Sequence, residues 1–536
     1  MSDRPHPPRV ADIGVPSEVL SPVDLQALVP LPPPYDGIDA RTIWKELSAE
    51  RRTEVDASLD GVSALSLARP ADGDGERRQL EALAAGLVRL LGRDDNWAFL
   101  QPLLLSLEHC THCQTCADAC PLFVGSGGNE VYRPTYRSDV VRRLLARHGP
   151  GGNPIRAALA GRVELNWTTL ARLAELAYRC TLCRRCMQSC PIGVDNGLIA
   201  RELRKLLSQE LGIAPTDLHA KGSEQQLAVG SSTGMSPAAL RDVVEFIDEE
   251  TSERVGFKVS TPWDREGADV LLLHNAGEFL SWPENPGAFA VIMQQAGISW
   301  TLSSELVGYD AVNYGLWYDD AQFARVATRQ AEIARRLKVR KVVIGECGHA
   351  HKALAVVADR ILGPDAVPRE SFAPFLAAIV GSGALRLDPA RNDFPVTLHD
   401  PCNLARGLGI VEAPRRVLRA VAPRFREMTP HGVDNYCCGG GSGFAIMSPN
   451  NFAAWRTLVA GRMKFRQVLE AFADEPGPDV PKYLCAPCSN CKGQFRELLR
   501  AYGAWERSRL TYGGLVELVV NAMTDVRPGY LDWEPH

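Results

Sequence analysis

The sequence lacks a long hydrophobic run, and it has no cysteine before residue 110. No apolar stretch approaches the roughly 18 residues that a membrane-spanning helix needs. The first part of the chain contains no apolar segment like the core of a secretory signal. The formal net charge is −5, so there is no basic surplus for binding nucleic acid or an anionic lipid surface. These absences predict a soluble, cytoplasmic protein that reaches a membrane only through a partner.

The 15 cysteines are clustered rather than scattered. Eight lie in residues 110–190, six lie in residues 402–491, and Cys347 stands alone between the two groups. In the reducing cytoplasm, clusters of this kind indicate metal sites rather than disulfide bonds.

The first eight cysteines form one motif written twice. "CTHCQTCADACP" (110–121) and "CTLCRRCMQSCP" (180–191) both read C-x2-C-x2-C-x3-C-P. This is the spacing of two-cluster ferredoxins, in which the fourth cysteine of each motif ligates the other cluster. It predicts one cubane [4Fe–4S] cluster on Cys110, Cys113, Cys116 and Cys190. It predicts a second cubane cluster on Cys180, Cys183, Cys186 and Cys120. The alternative, a pair of zinc sites, fits four cysteines plus proline at this spacing less well.

The composition divides the first half of the chain into four regions. Residues 1–40 are rich in proline and predict an extended arm, either disordered or wrapped around a partner subunit. Residues 41–99 have helical periodicity. Residues 100–220 are predicted to form an α-helical two-cluster ferredoxin domain. The stretch "KGSEQQLAVGSSTGMSP" is rich in glycine and serine and predicts a linker over residues 221–264.

The second half has the sequence pattern of an α/β fold, because short apolar runs alternate with helical stretches. A weak internal repeat divides it into two similar lobes, residues 265–390 and residues 391–536. The second lobe contains six cysteines and the first contains one. The first lobe is therefore predicted to be a degenerate copy of a metal-binding second lobe.

The repeat can be aligned at two places. Laying "KVVIGECGHAHKAL" over "PKYLCAPCSNCKGQF" places Cys347 on Cys488 and Ala350 on Cys491. Laying "VLLLHNAG" over "VTLHDPCNLARG" places Asn275 near Cys402.

The third set of cysteines spans "LHDPCNLARG", "DNYCCGGGSGF" and "LCAPCSNCKGQ". The adjacent Cys437 and Cys438 suit an open cluster in which a thiolate bridges irons better than they suit separate corners of a cube. The glycines that follow permit close approach of the backbone to a bulky inorganic centre. They are also predicted to leave room for the chain end of a partner protein.

This pattern resembles the CCG domain of heterodisulfide reductases, which binds a non-cubane [4Fe–4S] cluster and cleaves disulfides reductively. The resemblance implies a catalytic cluster with the ligands Cys402, Cys437, Cys438, Cys488 and Cys491. Cys485 leaves two ligand pairs open at one corner, Cys485–Cys488 and Cys488–Cys491. The "APC" sequence and the repeat alignment favour the second pair.

Residues 100–525 are most similar to the DsrK type within this family, a component of the Dsr membrane complex. The resemblance rests on the paired ferredoxin motifs, on "GGNEVYRPTYR", on the degenerate "GECGHAH" lobe and on the single complete CCG motif. It implies attachment to the inner face of the cytoplasmic membrane through a cytochrome-b-like subunit and other subunits of the complex. It also implies electron exchange with the disulfide or trisulfide of a small DsrC-like sulfur-carrier protein.

Two other functions fit the same layout. Iron–sulfur subunits of glycolate and lactate oxidases share it, and a pure electron-relay subunit would need no substrate chemistry. The discriminating feature is an open position at the third cysteine site.

Disulfide reduction consumes protons, so nearby titratable groups are candidates for catalysis. His399 and Asp400 immediately precede the third cysteine set, and Cys347, His349 and His351 lie at the matching place in the first lobe. If the lobes face each other across a cleft, these side chains are predicted to converge on the cluster. The alternatives are that His399 and Asp400 cap the next helix and that Cys347 is a small buried residue.

Overall fold

The computed structural model describes residues 7–54, 57–94, 96, 99–364, 366–447 and 452–533. The first half is helical, and its helices are α1 (Ala49–Glu54), α2 (Gly73–Leu90), α3 (Leu100–Glu108), α4 (Thr115–Ala119), α5 (Pro121–Gly125), α6 (Pro134–His148), α7 (Pro154–Ala160), α8 (Trp167–Tyr178), α9 (Arg185–Gln188), α10 (Asn196–Leu211), α11 (Gln225–Val229) and α12 (Pro237–Val255). None of the helices in the described part of the chain is both long enough and apolar enough to cross a membrane.

The helices of the ferredoxin domain begin and end at recognisable signals. The side chain of Asn166 caps α8 by accepting a hydrogen bond from the Thr169 N–H, and Asp195 caps α10 in the same way through Leu198. Helix α10 ends at Gly212, which takes the left-handed conformation that favours glycine. Every residue of α8 is buried, so this helix forms the centre of the domain.

The second half contains two lobes, each with its own sheet. The elements of the first lobe are β1 (Val270–Leu273), α13 (Ala276–Ser281), α14 (Glu284–Gln295), β2 (Trp300–Thr301), α15 (Asp320–Arg336), β3 (Lys341–Ile344), α16 (Gly348–His351, continued by a π-helix at Lys352–Val357), α17 (Asp359–Leu362), β4 (Arg369–Ser371) and α18 (Phe372–Ser382). Those of the second lobe are β5 (Val396–Leu398), α19 (Cys402–Leu408), α20 (Glu412–Val421), β6 (Phe425–Arg426), α21 (Phe452–Trp455, followed by a π-helix at Arg456–Ala460), α22 (Arg462–Ala471), β7 (Lys482–Cys485), α23 (Ser489–Tyr502), α24 (Ala504–Ser508), β8 (Leu510–Gly513) and α25 (Leu515–Ala522).

The two sheets have the same topology, which confirms the prediction of two similar α/β lobes. Both are parallel and four-stranded, with strand orders β2-β1-β3-β4 and β6-β5-β7-β8. The central strands are buried on both faces and carry near-continuous apolar runs, as parallel strands covered by helices do. In each lobe, the first and third strands in chain order pair at the centre of the sheet.

Strand register makes the alignment of the repeat exact at the sheet. Leu273 pairs with Ile344 in the first lobe, and Leu398 pairs with Cys485 in the second. Cys347 therefore corresponds to Cys488, as the sequence predicts. The residue equivalent to Cys402 is Gly277 rather than Asn275. The prediction was two residues off because a repeat this weak does not define register, whereas ladder hydrogen bonds do.

The linker predicted over residues 221–264 has regular structure. Helix α12 occupies 19 of these residues and packs on α14. The glycines that suggested a flexible linker instead make tight turns, since Gly230 and Gly234 have φ of 87° and 73°.

The described part of the N-terminal arm is mostly irregular, with a 3-10 helix at Val10–Gly14, and lies on its own chain. Arg172 of α8 has a fully buried side chain that donates hydrogen bonds of 2.9–3.0 Å to the carbonyl groups of Ile13, Val15 and Ser17. The prediction of disorder is wrong for residues 7–40, because the buried guanidinium would lose these acceptors if the arm detached.

The arm continues onto the second lobe and so links it to the ferredoxin domain. The ring of Tyr35 lies edge-on to Phe465 and Tyr502, with ring centroids 5.1 and 6.3 Å away. Its hydroxyl lies 2.5 Å from Ser508 Oγ, and Arg462 donates a hydrogen bond to the carbonyl of Val29. The sequence also allows an arm wrapped around a partner subunit. In the structure the arm instead packs against other parts of its own chain.

Replacing Arg172 with methionine should release the arm, because a hydrogen bond to a charged group is worth about 1.5–3 kcal/mol. The detached state should become more populated by about 10-fold or more, and limited proteolysis with mass spectrometry should detect faster cleavage before residue 20. The exposed Arg162 provides the matched control, Arg162→Met, which should cleave like the wild type. Equal cleavage of the Arg172 variant would mean that the contacts of Tyr35 hold the arm alone.

Candidate iron–sulfur centres

The two ferredoxin motifs have the same unusual backbone. The third and fifth residues of each motif take left-handed conformations, with φ of 55° and 65° at His112 and Gln114 and of 51° and 60° at Leu182 and Arg184. A residue other than glycine pays about 1 kcal/mol or more for this conformation. Strain repeated at four matching positions indicates that each loop is shaped to direct several thiols toward one point.

The thiols of the two motifs meet in the crossed arrangement. Burial, with the nearby thiols of Cys110, Cys120, Cys190 and Cys113, raises the pKa of Cys116 to about 12. Burial raises the pKa of Cys120 to about 12. Local backbone hydrogen bonds oppose this shift, and the nearby thiols of Cys183 and Cys180 add to it.

A small enclosed space beside the second motif is lined by its first three cysteines together with the fourth cysteine of the first motif. These residues are Cys180, Cys183, Cys186 and Cys120. Thiols packed this closely cannot all ionise unless a cationic core neutralises them, so the donor set fits the predicted cubane clusters.

The third centre is built from the ends of β5 and β7 and from the CC pair. The thiol of Cys438 lies 3.3 Å from that of Cys491, and Cys491 contacts Cys488. Cys437 contacts both Cys402 and Cys438. The structure thus brings together all five cysteines that the resemblance implies as ligands.

Backbone N–H groups point at these sulfurs. Gly439 and Gly440 donate to the thiols of Cys437 and Cys438 at 3.4 Å, and Gly348 of the first lobe donates to Cys488 at 3.3 Å. Donors of this kind stabilise thiolates and tune the potential of a cluster that they hold. The first lobe therefore contributes directly to the site of the second.

The glycine run after Cys438 is buried against its own chain. A Cβ added at Gly439 would approach the backbone of Ala460 to 2.5 Å, and one added at Gly440 would approach Gln494 Cβ to 2.5 Å. Close packing inside the lobe requires these glycines. The prediction that they admit a partner's chain end is wrong, because this side of the centre is filled.

Cys485 lies apart from the third centre. It ends β7 at the position of Ile344 in the first lobe, and its thiol is fully buried in the core around the sheet. Burial, with the nearby carboxyl groups of Glu346 and Glu517, raises its pKa well above the usual range. The contacts bring Cys488 and Cys491 to the other cysteines of the third centre, whereas Cys485, counted from the sequence among the candidate metal ligands, lies outside this group.

One of the two histidines predicted in the first lobe lies next to the third centre, where it contacts Cys347 and Asn490 rather than one of the five cysteines. His349 Nδ1 lies 3.1 Å from the thiol of Cys347 and 2.5 Å from Asn490 Nδ2, and Cys347 lies close to Cys488. His351 instead points into the core of its own lobe, where Nε2 lies 3.0 Å from the carbonyl of Ile344. The prediction that both histidines converge on the cluster is thus wrong for His351, since it lies two residues further along the same helix and points away.

His399 and Asp400 have different roles. His399 Nε2 lies 3.2 Å from Cys491 Sγ, while its Nδ1 faces the amide of Asn435 at 3.4 Å. Because the Asn435 amide donates to Nδ1, Nε2 carries the proton and donates to the cysteine sulfur. Burial lowers the pKa of His399, so the ring is neutral near pH 7.

Asp400 forms a buried ion pair and has no proton to give. Arg415 holds both carboxylate oxygens at 2.7 and 2.8 Å, and the Gly432 N–H donates to one of them at 2.7 Å. Burial would raise the pKa of Asp400, but these donors outweigh it and leave the pKa below its usual range. Asp400 neither caps α19 nor serves as the general acid predicted from the sequence.

Two cations beside the centre, the half-buried Arg406 and the buried Lys464, have no signal in the sequence. Arg406 of α19 donates to the carbonyls of Cys183, Val433 and Asn435 at 2.6–2.8 Å. Lys464 of α22 donates to the side chains of Asn435 and Gln467, and burial lowers its pKa to about 7. In the sequence, neither residue can be distinguished from a solvent-exposed cation on a helix, because only the tertiary fold directs its side chain inward.

The second ferredoxin centre touches the third centre. The thiols of Cys183 and Cys437 lie within hydrogen-bonding distance, and this contact, with burial, raises the pKa of Cys183 well above the usual range. Cys113, in the first ferredoxin motif, is exposed. The order of the centres is therefore the first ferredoxin centre near the surface, the second ferredoxin centre, and then the CC pair.

Known protein families match the two metal-binding regions. Residues 106–194 match the family described as "4Fe-4S dicluster domain", and residues 396–496 match the one described as "Cysteine-rich domain". The first range contains the eight ferredoxin cysteines, and the second contains the five cysteines of the third centre.

The chain is similar over most of its length to several oxidoreductase components. It is 27% identical over 463 residues to the "Hdr-like menaquinol oxidoreductase iron-sulfur subunit 2" of Archaeoglobus fulgidus, covering 78% of this chain and 80% of that protein. It is 24% identical over 428 residues to one subunit of the dihydromethanophenazine:CoB–CoM heterodisulfide reductase of Methanosarcina barkeri, covering 78% of this chain and 95% of that protein. It is 21% identical over 438 residues to the "EtfAB:quinone oxidoreductase" of Syntrophomonas wolfei, covering 76% of this chain and 57% of that protein.

Three centres of about four irons each predict about 12 irons per chain. Anaerobically purified protein should contain this amount by iron and acid-labile sulfide analysis. Cys437→Ser should lower the value to about eight, because the ferredoxin cysteines remain intact. A wild-type value near eight would contradict the assignment of the third centre.

Replacing Arg406 with methionine should lower the reduction potentials of the second and third centres. A nearby cation favours the reduced, more negative state of a cluster, and the half-buried Arg406 lies close to Cys183, Cys402 and Cys437. Redox titration followed by electron paramagnetic resonance measures each centre separately. The exposed Arg416 on α20 provides the control, Arg416→Met, which should leave all potentials unchanged. An equal shift at the first ferredoxin centre would indicate a general disturbance of the fold instead.

Proposed function

The chain belongs to the CCG-domain family of Hdr-like iron–sulfur subunits, and we propose that it passes electrons between a quinone-linked membrane complex and a disulfide at the third centre. The observation that carries this proposal is the contact between Cys183 and Cys437. It joins the ferredoxin centres to the CC pair with no intervening residue, which favours electron transfer between them.

The substrate proposed is the disulfide or trisulfide of a small sulfur-carrier protein of the DsrC type. The membrane partner proposed is a cytochrome-b-like subunit on the cytoplasmic side. Support comes from the overall layout and from the relatives, one named as part of a menaquinol oxidoreductase and another as part of a heterodisulfide reductase.

The reaction at the third centre is RS–SR + 2 e⁻ + 2 H⁺ → 2 RSH. When bound, a [4Fe–4S] cluster there supplies electrons one at a time and a site for sulfur. The residues of the chain orient and insulate that site. His399 donates a hydrogen bond to Cys491, and the peptide N–H groups of Gly439, Gly440 and Gly348 donate to the sulfurs of Cys437, Cys438 and Cys488.

Four of the five ligands are no more than 4% exposed, so water is excluded from most of the centre. Cys402 is partly exposed, and it provides the side from which a substrate sulfur can approach. The reaction is reversible, and the roles of these residues do not depend on its direction. The same site can therefore serve reduction of the carrier or oxidation of its thiols.

Cys438→Ser should abolish disulfide turnover while both ferredoxin centres still reduce normally. The thiol of Cys438 contacts those of both Cys437 and Cys491, so a hydroxyl in its place should disrupt the third centre alone. The measurement combines carrier disulfide reduction with spectroscopy of each centre.

Cys485 offers a control within the same segment, because it is a buried cysteine outside the centre. Cys485→Ala should keep turnover and the spectrum of the third centre. Turnover that survives Cys438→Ser would instead favour a pure electron-relay function, which is compatible with the similarity to the quinone oxidoreductase.

A further inference from the structure

A cavity of about 610 Å³ lies where the ferredoxin domain meets both lobes. Its wall includes Asn403 and Gly407 of α19, the helix that begins at Cys402. Thr181 and Leu182 of the second ferredoxin motif form another part of the wall. The cavity thus lies beside the helix that begins at the partly exposed Cys402, although no cysteine of the third centre lines its wall.

The wall and rim of the cavity are mainly apolar. Trp317 and Val357 of the first lobe are buried in the wall. At the rim, Leu105, Ile192 and Val356 come from three separate segments, and they are 58%, 52% and 40% exposed. Large apolar side chains gathered at the mouth of a cavity indicate a ligand-binding entrance.

Lys352 provides a positive charge inside this apolar space. Arg184 pairs with Asp195 at 2.7 Å, and Arg201 pairs with Glu202 at 2.7 Å and with Asp320. Lys352 has no hydrogen-bond or ion-pair partner among the described residues. Its side chain runs beside Gly407, where an added Cβ would lie 3.7 Å from Lys352 Cδ, and it is close to Cys402.

We propose that this cavity binds an organic disulfide that carries a carboxylate on a short apolar arm, with Lys352 pairing the carboxylate and the sulfur atoms directed to Cys402. The volume suits a ligand of this size, since small-molecule sites span about 300–1,000 Å³. A charged hydrogen bond in a mostly apolar wall gives the site its specificity. The inference rests on the proposed function for the fate of the ligand: two electrons from the reduced centres and two solvent protons convert the disulfide to two thiols.

The test begins with binding rather than turnover. Oxidised holoprotein is titrated by calorimetry with 4,4′-dithiodibutyrate and with its uncharged diamide. The wild type should bind the diacid about 10-fold or more tightly than the diamide, and Lys352→Met should lose this preference. Lys338→Met removes an exposed lysine of the same lobe that pairs with Glu266, and it should behave as the wild type. Equal affinity for the two probes in the wild type, or an unchanged preference in Lys352→Met, would overturn the proposal.

A second variant tests the cavity itself. Val356→Trp fills the mouth from an exposed position, so it should fold normally and weaken binding of both probes. Wild-type affinity in this variant would overturn the location.

A third comparison distinguishes a protein-borne ligand from a free one. It uses a cysteine-terminated peptide disulfide with a free C-terminal carboxylate and the amidated form of the same peptide. If binding of the free acid depends on Lys352 in the same way, the site accepts a chain end; if it does not, the site is restricted to small molecules.

Turnover with reduced methyl viologen separates the two proposals. Binding that depends on Lys352 without any disulfide reduction would support the cavity site and overturn the proposed function. Disulfide reduction that ignores both Lys352→Met and Val356→Trp would retain the function and overturn the cavity site.

Discussion

The packing of the ferredoxin domain on the second lobe depends on the contact between Cys183 and Cys437. This contact requires the ferredoxin domain to be held firmly on the second lobe, because electron transfer weakens steeply as centres separate. Arg406 reinforces the junction by donating to the carbonyls of both domains, and Ser442 donates to the carbonyl of Thr181 at 2.7 Å. The N-terminal arm adds a second link through Arg172 and Tyr35.

The first lobe shares the topology of the second but supports the third centre rather than holding a cysteine set of its own. At the positions of Cys402 and Cys491 it has Gly277 and Ala350, while Cys347 remains opposite Cys488. Its Gly348 N–H reaches the thiol of Cys488, and its Lys352 lies beside the Cys402 corner. The first lobe thus supplies a donor, a charge and one wall of a cavity to its neighbour.

A buried ionic network fixes the two lobes against each other. Lys492 of the second lobe lies 3.5 Å from Glu278 and 3.8 Å from Glu346 of the first lobe. Glu346 also accepts hydrogen bonds from the N–H groups that begin α25. Breaking one partner of a buried network is costly, since it leaves an uncompensated charge, so this network specifies one relative orientation. That orientation in turn sets the distance from Gly348 to Cys488.

The sequence by itself determined which cysteines act together, because cluster geometry demands fixed spacing along the chain, and it determined the two lobes through their matching apolar runs. It also favoured Cys488 and Cys491 over Cys485. Tertiary structure alone decided the rest. It placed His349 against Cys347 and Asn490 and turned His351 away. It also tied Asp400 to Arg415 and brought Arg406, Lys464 and Lys352 close to the third centre. Those outcomes depend on which face of a helix meets a distant segment, and local spacing carries no information about that.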